Sequence, residues 1–218
     1  MGSITVVAGD PGLGKSLLSL DLAALLCSRV CHDLISPTGA IVNGLEVLEE
    51  SKDEETREFA LALIKKSASQ ATARLQFCRL AFGAAGSAGA EINLGDAETV
   101  ARGFIEDDKI KLTWNLPRAL APKNRVKLLL NLLIVATQAI PRGGMLVADG
   151  DAARGFRILA SGMNARVPQP AERLLAGDGA DTVDAHAIQP YYAALLAKDC
   201  GLRVTIASDG DAIVVSAG

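Results

Sequence analysis

Arg29-Val30-Cys31-His32-Asp33-Leu34-Ile35-Ser36-Pro37 lies inside one long helical pattern, which runs from residue 17 to residue 50. An acid follows the imidazole directly, and a Ser-Pro step comes one turn later. At about 100° per residue, Val30, Leu34, Ile41, Leu45 and Leu48 fall opposite His32, whereas Asp21, Ser28, Ser36 and Gly39 fall on its own side. His32 therefore belongs to the polar face of an amphipathic helix, across from the apolar stripe. Pro37 cannot donate to the carbonyl of Asp33 and is expected to kink the helix just beyond His32.

Outward from this segment, Ser51-Lys52-Asp53-Glu54-Glu55 reads as a polar turn with a cap for a second helix over 54–82. The expected apolar stripe of that helix is Phe59, Leu63, Ile64, Ala68, Ala71, Leu75 and Cys78. Two long helices joined by a short turn make an antiparallel hairpin. One hairpin cannot bury its stripe alone, so pairing with a second copy into a four-helix bundle is expected. The glycine-rich run Gly83 to Gly89 reads as a connector. Beyond it, helices are predicted at Leu94–Asp107, Pro122–Ile140 and Gln189–Cys200. Strands are predicted at Lys111–Trp114, Met145–Ala148, Phe156–Ala160, Val204–Ala207 and Ala212–Ser216. The fold class is α+β: a helical hairpin over 17–83, then an α/β sandwich over 90–218, with residues 1–16 as an N-terminal extension.

Composition narrows the function. A formal charge of −3 and a pI near 5.5 argue against a general nucleic-acid binder. Cys27, Cys31, Cys78 and Cys200 lack the paired spacing of a zinc site and read as reduced thiols. The sequence shows neither a membrane-spanning apolar run nor a signal-peptide pattern, so a soluble, cytoplasmic protein is expected.

Four stretches together carry a resemblance. They are Cys31-His32-Asp33-Leu-Ile-Ser36-Pro37 with Asn43-Gly44-Leu45; Leu75-Gln-Phe-Cys-Arg79-Leu-Ala-Phe82-Gly83; Asn124 to Asn131; and Gln189-Pro190-Tyr191-Tyr192. Over residues 20 to 218 the chain resembles the ChpT-type histidine phosphotransferases, whose layout is that of a sensor histidine kinase. The resemblance implies a homodimer and a kinase-like second domain that binds no ATP. It also implies transfer of a phosphoryl group from the receiver of a CckA-like hybrid kinase to CtrA-like and CpdR-like response regulators. Asn131 through Gly144 resembles the kinase N-box, yet Val135 stands where the metal-binding asparagine would be, and valine offers Mg²⁺ no oxygen. Ala160-Ser-Gly162-Met-Asn164 stands where Asp-x-Gly-x-Gly is expected, and no glycine-rich lid follows.

In this reading His32 and Asp33 are the catalytic pair. Imidazole titrates near neutrality, so an unprotonated, nucleophilic fraction is present at cellular pH. Asp33 would orient the ring or manage its proton. Arg29, Ser36, Asn43 and Arg79 are candidate receiver contacts, with Arg29 placed to meet phosphate oxygens. The chain itself needs no cofactor or metal, because the partner receiver would bring Mg²⁺. His186, at a loop-to-helix junction, reads as structural or capping.

A second signal competes. Gly9-Asp-Pro-Gly-Leu-Gly14-Lys15-Ser16 matches a phosphate-binding loop, follows a strand-like Ile4–Ala8 and precedes a helix. Gly9, Gly14, Lys15 and Ser16 would then hold nucleotide in an ATPase or GTPase. Against this, about sixty helical residues follow with no strand, and the acid-bearing strand Met145–Asp149 falls in the other domain. Ser16 and His32 would also stand about 24 Å apart along one helix. A third reading is a dimeric scaffold that docks receivers without exchanging phosphate.

Overall fold

A computed structural model of the 218-residue chain describes residues 19–83, 90–176, 183 and 187–218. The phosphate-loop motif Gly9–Ser16, most of the glycine-rich connector and His186 lie outside the described residues.

Helix α1 spans Ser19–Glu50 and runs through Pro37; α2 spans Glu54–Phe82 and packs along it. The turn between them is built as its composition predicts. Asp53 caps α2, accepting from the Thr56 amide at 2.9 Å and the Thr56 hydroxyl at 2.6 Å. These bonds, the hydroxyl's foremost, hold its carboxyl below the usual range. Arg57 closes the other helix end by donating to the carbonyls of Leu48 and Ser51. Gly44 is buried where the helices approach: a Cβ there would stand 2.7 Å from Ile64 Cγ1.

The face of α2 differs from the predicted stripe. Ala60, Ser67, Phe77, Cys78 and Ala81 are buried, whereas Phe59 is 71% and Leu75 51% exposed, and Ala68 is exposed too. Small residues line the contact because two helix backbones meet closely there. The last turns of α2 rotate toward a second neighbour, the remainder of the chain, which takes Phe77 and Ala81 into its core. On α1, Leu45 belongs to the expected stripe but is exposed, together with Leu20, Ile35, Val42 and Val47.

The second part opens with β1 (Glu91–Asn93), paired antiparallel with β3 (Leu120–Pro122). Between them lie α3 (Leu94–Ile105), capped by Asn93 through the Gly95 amide, and β2 (Ile110–Trp114). Then come α4 (Lys123–Ala139), β4 (Gly144–Asp151), β5 (Gly155–Ser161), α5 (Ala171–Leu175), α6 (Ile188–Asp199), β6 (Val204–Asp209) and β7 (Ala212–Ala217). The five-stranded sheet has the order β2-β4-β5-β7-β6, with only β2 and β4 parallel. Alternation along the strands buries Leu146, Ala148, Ile158, Ala160, Ile213 and Val215 in one core with α4. The opposite face carries Val147, Leu159 and Val214 in a single registered row. The α+β class and the predicted long elements stand. The three-residue strands β1 and β3 and the five-residue α5 leave no periodic trace to read.

The hairpin and the sheet domain are packed together. The rings of Phe77 and Phe104 stack with centroids 4.0 Å apart, and Phe82 tilts against Tyr192 at 5.9 Å. At the start of α1, Leu22, Leu25 and Leu26 pack against Leu174, Ile188 and Tyr191. Among the described residues, no helix is long and apolar enough to cross a membrane.

Candidate functional site

His32 projects from the middle of α1 with 72% of its side chain exposed. Its neighbour Asp33 is only 16% exposed, because Arg29, one turn earlier and itself 19% exposed, lies against it. Arg29 Nε donates to Asp33 Oδ2 at 3.1 Å. The other carboxylate oxygen, Oδ1, stands 3.5 Å from His32 Nδ1, at the outer limit of a hydrogen bond. One carboxylate thus spans an arginine and the imidazole. Nδ1 is the ring nitrogen that stands beside the acid.

Helix geometry places the remaining sequence-derived residues unequally. Ser36 follows His32 by one turn on the same side of α1 and is exposed. Asn43 lies two turns further along, also exposed, and Arg79 is exposed on α2. The sequence assigns Arg29 to incoming phosphate. Its Nε donates to Asp33, so in this geometry Arg29 also holds the acid.

Sequence reasoning missed Arg74. It sits on α2 in the same spacing as Ala60, Ser67, Ala71 and Cys78, and its Nη1 donates to the main-chain carbonyl of Asp33. The signal was present: a charged residue inside a small-residue seam, opposite a carbonyl that Pro37 deprives of its helical donor. Cys78, one turn beyond Arg74, lies buried under the same cluster. Burial, reinforced by the charge of Asp33, pushes its thiol up to about 11, against the opposing pull of Arg29 and Arg74.

In the second domain the positions that resemble nucleotide motifs are used for packing. Val135 is fully buried in the core. Asn131, also fully buried, donates to the carbonyls of Ala81 at 3.1 Å and Lys127 at 2.7 Å, and accepts from Gln189. Gly162 lies so close to Gly143 that a Cβ would stand 2.2 Å from its carbonyl oxygen. Asp149 accepts from Asn115 Nδ2 at 2.8 Å. Among the described residues, no group of three or more His, Cys, Asp or Glu side chains is placed to hold a metal ion.

Comparison with known proteins gives consistent matches. The family model "Histidine phosphotransferase C-terminal domain" matches residues 94–212. The protein phosphotransferase ChpT of Brucella abortus (strain 2308) is 50% identical over 209 residues, covering 94% of this chain and 99% of the relative. A solved bacterial phosphotransferase superimposes with a TM-score of 0.82 at 47% identity, covering 94% of this chain and 100% of that one.

Proposed function

The chain belongs to the histidine phosphotransferase family and is a phosphotransferase of a phosphorelay; from that premise we propose that His32 is its phosphoacceptor. The observation that carries this reading is the exposed imidazole with its Nδ1 beside the Asp33 carboxylate, a placement that suits Nε2 to act as the nucleophile. Nε2 attacks the phosphorus of a receiver phosphoaspartate, the P–O bond to the aspartyl oxygen breaks, and that oxygen leaves as a carboxylate. Positive charge develops on the ring, and the Asp33 carboxylate beside Nδ1 meets it. The reverse step, on a second receiver's aspartate, returns the imidazole. Such transfers depend on positioning and charge stabilisation more than on covalent help from the protein.

The partners that fit are receiver domains: that of a CckA-like hybrid kinase as donor, and CtrA-like and CpdR-like regulators as acceptors. Mg²⁺ comes with the receiver. Ser36, Asn43 and Arg79 are exposed on the hairpin and serve as receiver contacts. The chain acts as a homodimer. At about 100° per residue, Cys27, Cys31, Ile35, Val42 and Leu45 share one exposed side of α1, and Leu61, Ala68 and Leu75 recur every seven residues on α2. A second hairpin would cover both rows as a four-helix bundle.

The test is incubation with a phosphorylated receiver. The wild type takes up label and His32→Ala takes up none; label on His32→Ala would sink the assignment.

A further inference from the structure

Proline at position 37 has no amide hydrogen, so α1 cannot supply the donor that the carbonyl of Asp33 would have four residues on. A buried or half-buried carbonyl without a partner is costly. Here the acceptor is filled from the other helix, by Nη1 of Arg74. The same residue is held at its carboxylate by Arg29 and presents its remaining oxygen to His32. Two guanidinium groups therefore grip Asp33, one at the side chain and one at the backbone.

We infer that Arg74 is a positioning residue for phosphoryl transfer: it occupies the acceptor that Pro37 vacates and so fixes the turn that aims His32. This rests on His32 being the phosphoacceptor, and Arg74 acts through Asp33. The pairing explains how a proline is accommodated in mid-helix beside the reacting residue. The proline opens one rung of α1, and the opening is closed by a bond that also registers α2 against the site. Because the bond crosses between helices, it transmits the position of α2 to Asp33, and through its carboxylate to the ring.

The test is a double-mutant cycle. Wild type, Arg74→Met, Pro37→Ala and the double variant are each assayed for label uptake from a phosphorylated receiver across receiver concentration and pH, and each is melted. Arg74→Met is expected to lower the saturated rate by on the order of tenfold, with the half-saturating receiver concentration unchanged and the pH profile of the rate displaced. In the double variant the alanine that replaces Pro37 brings an amide hydrogen and restores the helical donor. Its rate should therefore return to within about twofold of Pro37→Ala alone, with the pH profile restored. Arg74→Lys keeps one donor and gives an intermediate rate, which provides a folded comparison should Arg74→Met fail to fold. A wild-type rate in Arg74→Met overturns the inference. So does a double variant as slow as Arg74→Met, because the two positions would then be uncoupled. His32→Ala is run alongside: label on it defeats the phosphoacceptor reading. The Pro37–Arg74 coupling in melting temperature needs no phosphoryl transfer and still reports on the bond itself.

Discussion

Gln189 donates through Nε2 to the side-chain oxygen of Asn131, in an interior where both residues are fully buried. Asn131 passes the connection on, from α6 through α4 to the carbonyl of Ala81 on α2. A single amide thus fastens three helices. Asn131→Ala leaves Gln189 and the Ala81 carbonyl without that partner and should lower stability by about 2–3 kcal/mol. Urea unfolding measures it, and an unchanged midpoint would contradict the role given to this amide.

Asp33→Asn keeps the main-chain carbonyl that Arg74 uses but removes the charge beside His32 Nδ1. Transfer from a phosphorylated receiver should slow by on the order of a hundredfold, while the melting temperature moves little. Rapid-quench measurement of label on His32 separates the two effects.

Gly44→Val places branched carbon where even a Cβ would come within 2.7 Å of Ile64. The helices of the hairpin must move apart, at a cost of about 1–3 kcal/mol. Thermal melting reads the loss, and Ile64→Ala in the same background should recover part of it by making room.

Val42→Glu combined with Leu75→Glu puts charge on the two exposed apolar rows. The expected outcome is a monomer that keeps its helical circular dichroism, against the dimer proposed for the unaltered chain. Light scattering at micromolar concentration checks both, and a monomeric wild type would remove the bundle from the proposal.

Cysteine chemistry should divide by position. Cys27 and Cys31 are exposed, whereas Cys78 is buried with its thiol pushed up to about 11. In the monomeric Val42→Glu/Leu75→Glu variant, where no second hairpin covers α1, iodoacetamide at pH 8 should modify the first two and spare Cys78, since the thiolate is the reacting form. The sign of the pH effect follows. An unfolded thiol ionises near 9, so between about 9 and 11 the folded state holds a proton that the unfolded state releases. Stability conferred at this position is complete below pH 9 and declines as pH rises through that window. Cys78→Ala should flatten the decline in melting temperature over the same range.

Much of this arrangement was legible in the order of residues. The 3.6-residue period around His32 placed it on the open side of α1, and Asp53 announced the turn by its capping chemistry. What stayed hidden depended on contacts between distant segments. The contact face of α2 is lined by alanine and serine, which hydrophobicity undervalues, because the fit there is set by how closely two backbones can approach. Phe59 and Leu75 look like core by type and are exposed on the single chain. Arg74 resembled any surface arginine until α1 lay beside it with one carbonyl open. Asn131 resembles part of a nucleotide motif, and only its three-dimensional neighbours show it as a clamp.

Among the described residues, the strand order β2-β4-β5-β7-β6 leaves two outer strands with no further strand beside them, and on β2 the Leu112 amide and carbonyl are taken instead by the side chains of Glu106 and Arg102. Both outer strands are short, and both carry charge: Lys111 on β2, and Asp209, paired to Arg157, on β6. Such borders resist strand addition from another molecule, since ions would have to be dehydrated as the borders met. The sheet borders are thereby guarded against growth, and in the bundle proposed for the hairpin self-association would be confined to a twofold contact, which is finite and does not propagate into a fibre.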